Sequence, residues 1–225
     1  MSELIDTTEM YLKSILELEE EGLQPMRARI GERLGQSGPT VSQTVARMER
    51  DGLITLQDDK TLVFTDFGRE RAISVMRKHR LAERLLVDVI GLDWRDAHDE
   101  ACRWEHVMSD EVERKIAGLV STLDVSPYGL AIPGLAELGL QSEAISLGTP
   151  ASELSDGDYT LTQIGEPLQV DKELLTQLDE LGLIPGARVK LEDQGVDKFL
   201  ISQQQDEGLL VEFDISRHIF LSSGV

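Results

Sequence analysis

His79, Glu83, His98, Cys102, Glu105 and His106 are the side chains of this sequence best able to hold a transition-metal ion. His79 and Glu83 stand four apart, while His98, Cys102, Glu105 and His106 fall at offsets of 0, 4, 7 and 8. On a helix such spacings place each set on one face. A lone histidine is more often a satisfied core or surface residue, but every histidine except His218 falls in these two stripes. Imidazole, carboxylate and the chain's single thiol together favour Fe²⁺, Co²⁺, Ni²⁺ or Zn²⁺ over Mg²⁺ or Ca²⁺. The spacing permits one site or two, because four helical residues span a rise of about 6 Å.

Nothing beside these residues asks for catalysis. The sequence has no H-E-x-x-H, no P-loop, no G-x-S-x-G and no dinucleotide fingerprint. A hydrolytic metal site also needs an open position beside a general base. The expectation is a protein that is not an enzyme, with no catalytic residues and no small-molecule substrate.

A second constellation lies nearer the N-terminus, in "PMRARIGERLGQ" followed by "SGPTVSQTVARMERDGLI". Ser37 at a helix cap and Pro39 in the first turn open a helix whose Val41, Val45 and Met48 recur at helical spacing, and Gly52 stops it. Ile30 and Leu34 are buried by the shorter helix before it. Two short helices joined by a brief turn are the pattern of a helix-turn-helix. Ser37, Pro39, Thr40, Ser42 and Gln43 are suited to reading base edges, and Arg27, Arg29, Arg47 and Arg50 to neutralising phosphates. "LITLQDDKTLVFTDFG" then reads as a hairpin turning at Asp58 and Asp59, which completes a winged helix.

The formal net charge of -20 argues against a nucleic-acid partner until its distribution is considered. From Ala151 to Val225 there are 15 acidic against 5 basic residues, whereas Pro25 to Arg50 carries five arginines against Glu32 and Glu49. A DNA-binding face therefore fits the basic segment. Hydrophobic content of 40% and charged content of 28% are those of a globular chain. No run approaches the roughly 20 apolar residues that cross a bilayer, so no membrane partner is expected. One cysteine and an acidic N-terminus without signal-peptide character point to the cytoplasm.

The remaining elements are coarser. A first helix ends at Gly22, capped by Asp6 or Thr7, with Tyr11, Leu12, Ile15, Leu16 and Leu18 as its apolar stripe. A long helix covers Arg69 to Gly91, with Ile73, Met76, Leu81, Leu85 and Leu86 as candidate core, and another runs from about Asp93 to Leu119. "SPYGLAIPG" is a loop and residues 141–150 a linker. "ARVKLED", "KFLISQ", "LLVEFDI" and "HIFLSS" read as strands of a small β-barrel. Leu85, Val89, Trp104 and Val107 exceed what one short domain can cover, which places Trp104 at or near a two-fold interface.

"LIDTTEMYL", "RARIGERLGQSGPTVSQTVARMERDGL", "VMRKHRLAERLLVDVIGL" and "HDEACRWEHVMSDEVER" resemble the diphtheria toxin repressor family, and within it the iron-dependent regulators of actinobacteria. The likeness is dense from Leu4 to about Gly139 and thins beyond the linker. It implies a mainly α fold in three domains: a winged helix-turn-helix at 1–73, a helical dimerisation and metal-binding domain at 74–140, and an SH3-like small β-barrel at 151–225. It implies a cytoplasmic homodimer that represses iron-uptake genes when Fe²⁺ is plentiful by binding a palindromic double-stranded operator.

The resemblance also implies two metal sites per subunit. Met10, Cys102, Glu105 and His106 match the primary, activating site. His79, Glu83 and His98 match the ancillary site, completed by Glu166 and Gln169 of "GEPLQ". Met10 would tie the first helix to the metal and restrain Asp6 and Thr7, near DNA in the resembling proteins. The manganese branch of the family has hard carboxylates where Met10 and Cys102 stand, so soft donors point to iron. Mn²⁺, Co²⁺, Ni²⁺ or Zn²⁺ are expected to substitute in vitro. The alternatives are a manganese regulator of the same family and, in another class, a metal-handling or adaptor protein whose winged helix binds protein. Leu130 replaces a family asparagine that helps hold an anion beside residues matching Arg80 and Ser126, which puts that anion site in question. Lys60 stands in the wing where arginine is common.

Overall fold

Asp6 opens the first helix, its Oδ1 accepting from the backbone N–H groups of Thr8 and Glu9 at 2.8 and 3.3 Å. The computed structural model describes residues 6–141, 145, 147–202 and 207–223. The expected start of the first helix before Asp6, and Ser142, Glu143, Ala144 and Ser146 of the expected linker, lie outside them. The chain divides into two compact units. One takes the described residues of 1–82, 101–118 and 133–141, and the other those of 83–100, 119–132 and 142–225.

The first unit contains α1 (Thr7–Glu20), α2 (Arg27–Arg33), α3 (Gly38–Arg50), β1 (Ile54–Leu56), β2 (Leu62–Phe64) and most of α4 (Asp66–Arg84). Every residue of the expected apolar stripe of α1 is buried, together with Ile30, Val41, Val45 and Met48. β1 and β2 pair antiparallel, with Thr55 opposite Val63. Their turn puts Lys60 at φ 69°, a left-handed position that a loop asparagine or glycine occupies more readily. Gly68 lets α4 approach the end of α3, since a Cβ there would fall 1.8 Å from the Leu53 carbonyl oxygen. This is the winged helix read from the sequence.

The two longer helices end earlier than periodicity suggests. α4 gives way after Arg84 to a wider π-type turn over Leu85–Ile90, closed by Gly91 at φ 76°. The expected helix from Asp93 to Leu119 is two helices, α5 (Trp94–Trp104) and α6 (Asp110–Ala117). Ser109 causes the break: its hydroxyl caps Val112 N–H at 3.3 Å, and Asp110, Glu111 and Glu113 follow in the first turn. Glu105 and His106 therefore lie in a turn just past α5.

In the second unit β3 (Thr149–Pro150), β4 (Gly157–Ile164), β5 (Arg188–Gln194), β6 (Asp197–Ser202), β7 (Gly208–Val211) and β8 (Ile219–Ser223) form one antiparallel sheet in the order β3-β8-β4-β5-β6-β7. This sheet is the small β-barrel of the sequence reading, and β3 takes up the end of the expected linker. Strands β5 and β6 bury alternate residues, including Val189, Leu191 and Leu200. Three helical pieces were not expected: α7 (Glu166–Gln169), α8 (Lys172–Glu180) and α9 (Phe213–Ser216). The second of these carried a signal, since Asp171 caps α8 and Leu174, Leu175 and Leu178 recur at helical spacing. α9 takes the end of the segment read as a strand through Ile215, because "EFDIS" turns back within four residues.

Candidate metal centre and DNA-reading face

Within the first unit, α1, α4 and the end of α5 bring Glu9, Lys13, His79, Cys102, Glu105 and His106 together. The Glu105 carboxylate is buried and both its oxygens are engaged. Oε2 lies 2.5 Å from His79 Nδ1 and 3.1 Å from Lys13 Nζ, and Oε1 lies 3.2 Å from His106 Nε2. Lys13 Nζ also donates to Cys102 Sγ at 3.4 Å and sits 3.4 Å from His79 Nδ1. Burial pushes the Glu105 carboxyl up, yet Lys13, His79 and His106 beside it hold it below the ordinary carboxylate value. This thiol, carboxylate and imidazole set already surrounds a cation, the Lys13 ammonium, so its donors fit a metal ion. Met10 is half-buried on α1, on the same side as Lys13 three residues on.

The sequence reading did not include Glu9 and Lys13, although their i, i+4 spacing around Met10 was the available signal. Glu9 gives the cluster its link to the N-terminus. Its Oε2 lies 2.7 Å from His106 Nδ1, and its Oε1 accepts from Arg71 Nη2 at 3.1 Å. The same Arg71 nitrogen donates to Asp6 Oδ2 at 3.0 Å. Hydrogen bonds thus run from His106, whose Nε2 lies 3.2 Å from Glu105, through Glu9 and Arg71 to the residue that caps α1.

The second unit holds another cluster. The buried His98 and Glu83 meet at 3.3 Å through Nδ1 and Oε1. Burial, with the neighbouring Glu83 and then Asp99 and Glu166 adding, pushes the Tyr128 phenol well up. Glu166 and Gln169 are both buried on α7. Gln169 Nε2 donates to the Ile164 carbonyl at 2.9 Å, but its Oε1 has no hydrogen-bond partner among the described residues. A buried amide oxygen left unsatisfied costs free energy, and a cation would relieve it. His79, which the resemblance allots to this set, belongs to the first unit. Arg80 pairs through both terminal nitrogens with Glu20, and the Ser126 hydroxyl accepts from Tyr128 N–H.

Most of the residues expected to read DNA lie on one face of α3. Thr40, Gln43, Arg47 and Arg50 are exposed opposite the buried Val41, Val45 and Met48, with Pro39 exposed and Ser42 half-buried beside them. Ser37 is the cap residue of α3 but bonds the Thr40 hydroxyl at 2.8 Å instead of a backbone N–H. Arg27 and Arg29 are half-buried on α2, and Arg29 donates to the Gln24 carbonyl at 2.6 Å. Thr7 is exposed, and Arg47 donates to Thr8 at 3.4 Å, so the start of α1 abuts the reading helix.

A winged helix whose reading face touches α1, with α1 bonded in turn to a buried thiol, carboxylate and imidazole cluster, defines a metal-responsive DNA-binding protein. Residues 3–62 match the N-terminal DNA binding domain of the iron dependent repressors, and residues 65–134 match their metal binding and dimerisation domain. The chain belongs to the iron-dependent repressor family. It is 52% identical over 204 residues to the iron-dependent repressor IdeR of Mycobacterium tuberculosis, covering 85% of this chain and 86% of that protein. It is 54% identical over 198 residues to the diphtheria toxin repressor of Corynebacterium diphtheriae, covering 86% and 88%. Among solved structures, the IdeR of T. acidophilum superposes with a TM-score of 0.77 at 25% identity, over 97% of this chain and 99% of that one. The manganese regulator SloR does so with 0.78 at 25%, over 96% and 98%.

Proposed function

We propose that this protein is a Fe²⁺-activated repressor of iron-uptake and iron-homeostasis genes, acting in the cytoplasm as a homodimer on a palindromic operator. The observation that carries this reading is the hydrogen-bonded path from His106, 3.2 Å from Glu105, through Glu9 and Arg71 to the cap of α1, beside the reading helix. Met10, Cys102, Glu105 and His106 are the ligands of the activating site. Glu83, His98, Glu166 and Gln169 belong to a second site. At the activating site a divalent ion would supply positive charge for the thiolate, carboxylate and imidazole to bind directly.

The chain's own residues convert that charge into DNA affinity. Ligation fixes the rotamers of Glu105 and His106, and Glu9 passes that order to Asp6, Thr7 and Thr8 at the start of α1. Metal and operator then favour one conformation, and each raises affinity for the other. Functionally the chain divides into a DNA-binding domain (1–73), a dimerisation and metal-binding domain (74–140), a linker (141–150) and an SH3-like domain (151–225). In the first unit Trp104 is half-buried and Val107 exposed, which suits a two-fold interface there. The thioether and thiolate argue for Fe²⁺ over Mn²⁺. The deciding experiment is anaerobic titration of operator binding with Fe²⁺ and with Mn²⁺. Salt-dependent binding that appears at lower Fe²⁺ than Mn²⁺ is expected. A Mn²⁺ preference, or no metal-dependent DNA binding, overturns the reading.

A further inference from the structure

Lys13 is an unusual neighbour for a metal site. Its side chain is only 10% exposed, and Nζ lies 3.1 Å from Glu105 Oε2, 3.4 Å from Cys102 Sγ and 3.4 Å from His79 Nδ1. Two of those three atoms belong to the proposed activating ligands. A buried ammonium persists only where it is paired and hydrogen-bonded, and here its partners are the soft and hard anionic donors that a divalent ion needs. An ammonium and a divalent cation cannot share Cys102 Sγ and Glu105 Oε2, because like charges so close repel strongly in a medium of low dielectric. Lys13 also stands on α1, three residues from Met10 and four from Glu9. Whichever cation holds the cluster therefore decides which α1 side chain is anchored there.

We infer that Lys13 is the resident cation of the metal-free cluster, seated between Cys102, Glu105 and His79, and that a divalent ion binds by displacing it. The lysine neutralises the ligands and holds α1 in place without metal, and it sets the concentration at which metal takes over. Displacement moves the ammonium out toward solvent still protonated, and the proton of the Cys102 thiol leaves to solvent as the thiolate takes up the ion. The inference rests on the activating site proposed above.

The test uses the full-length protein and Co²⁺ as the probe. On the unaltered protein, amine acetylation at Lys13 is followed by mass spectrometry with and without Co²⁺, with exposed Lys172 and Lys190 as internal references. The thiolate-to-cobalt absorption band reports Cys102 ligation in the same samples. Lys13 is expected to be protected without metal and to react faster as the band grows. Calorimetry on Lys13→Gln should show Co²⁺ binding tightened by at least about fivefold, the lower end of typical coupling between competing ligands. Lys13→Gln should also lower the melting temperature of the metal-free protein, and Lys13→Arg should restore the weaker Co²⁺ affinity. A cobalt–thiolate band with Lys13 still protected overturns the inference and leaves the metal site standing. The absence of any such band sinks both. Weaker Co²⁺ binding by Lys13→Gln would make the lysine an orienting partner of the ligands, which also overturns it. The acetylation measurement needs no variant, so a substitution that fails to fold does not spare the inference.

Discussion

In the first unit the buried carboxylates face cations, Glu105 against Lys13 and Glu113 against Arg77, whereas in the second unit the Glu83 carboxylate faces the His98 imidazole and the Gln169 amide oxygen accepts nothing among the described residues. The first cluster is electrically closed without metal, so an incoming ion must displace a charge already there. The second keeps an acceptor waiting. The first is also bonded to α1 and, through α1, to the helix expected to read DNA.

The largest effect should come from opening the charge balance of the first unit. Arg77 is buried, with Nε bonded to Glu113 at 2.6 Å and Nη1 to Gly134 and Glu137. Glu113→Ala should cost about 3 kcal/mol, the lower end for breaking a buried pair, since two other partners remain. Urea unfolding measures it, and a loss below roughly 1 kcal/mol would mean that the first unit tolerates an open charge.

Next comes Cys102→Asp, which replaces the soft donor and leaves the second cluster intact. Fe²⁺ or Ni²⁺ activation of DNA binding should weaken on the order of 100-fold, beyond what loss of a supporting residue does, with a relative gain for Mn²⁺. An unchanged metal order and midpoint would make Cys102 a packing residue. At the reading face, Gln43→Ala should relax preference at one operator position by about 1–3 kcal/mol. Arg50→Ala should instead weaken all sequences alike and flatten the salt dependence. If Gln43→Ala leaves every operator position as it was, the recognition helix has been misassigned.

For the second cluster, Gln169→Ala should weaken metal retention there by roughly 10-fold and shift the DNA-binding midpoint far less than Cys102→Asp does. Equal shifts would erase the difference between the two clusters. The smallest effect belongs to an exposed pair of the second unit. The hydrogen bond from the Arg95 guanidinium holds the Asp93 carboxyl down to about 2. A carboxylate with a depressed folded pKa contributes stability above its ordinary value of 3.8, lost as pH falls through about 2. Acid unfolding of Asp93→Asn should therefore differ from the parent at neutral pH and converge with it in that window, by a small margin because both side chains are solvent-screened. A difference that persists below pH 2 would point to packing instead of charge.

Local pattern was enough for the winged helix. Val41, Val45 and Met48 repeat at helical spacing, Pro39 and Gly52 mark the ends of α3, and two β-branched runs flank an Asp-Asp turn, all signals carried by neighbours in sequence. The ligand-type residues of the helical region were legible as types, but Glu105 and His106 lie in the turn past α5, where helical spacing does not apply. The break at Ser109 was written in a cap residue that helical periodicity overrode, and α8 in leucine spacing hidden among strands.

Tertiary structure decided what no spacing contains. Residue type and interval show that His79, Cys102 and Glu105 can hold a cation, but not which cation stands between them. That depends on α1 meeting α4 and the end of α5, an encounter between segments 66 and 92 residues apart that delivers Lys13 to His79 and Glu105. Hydrogen bonds and Coulomb forces act over a few ångströms in space regardless of separation along the chain. The helix faces were therefore determined by the sequence alone, and the charge balance of the metal cluster by the fold.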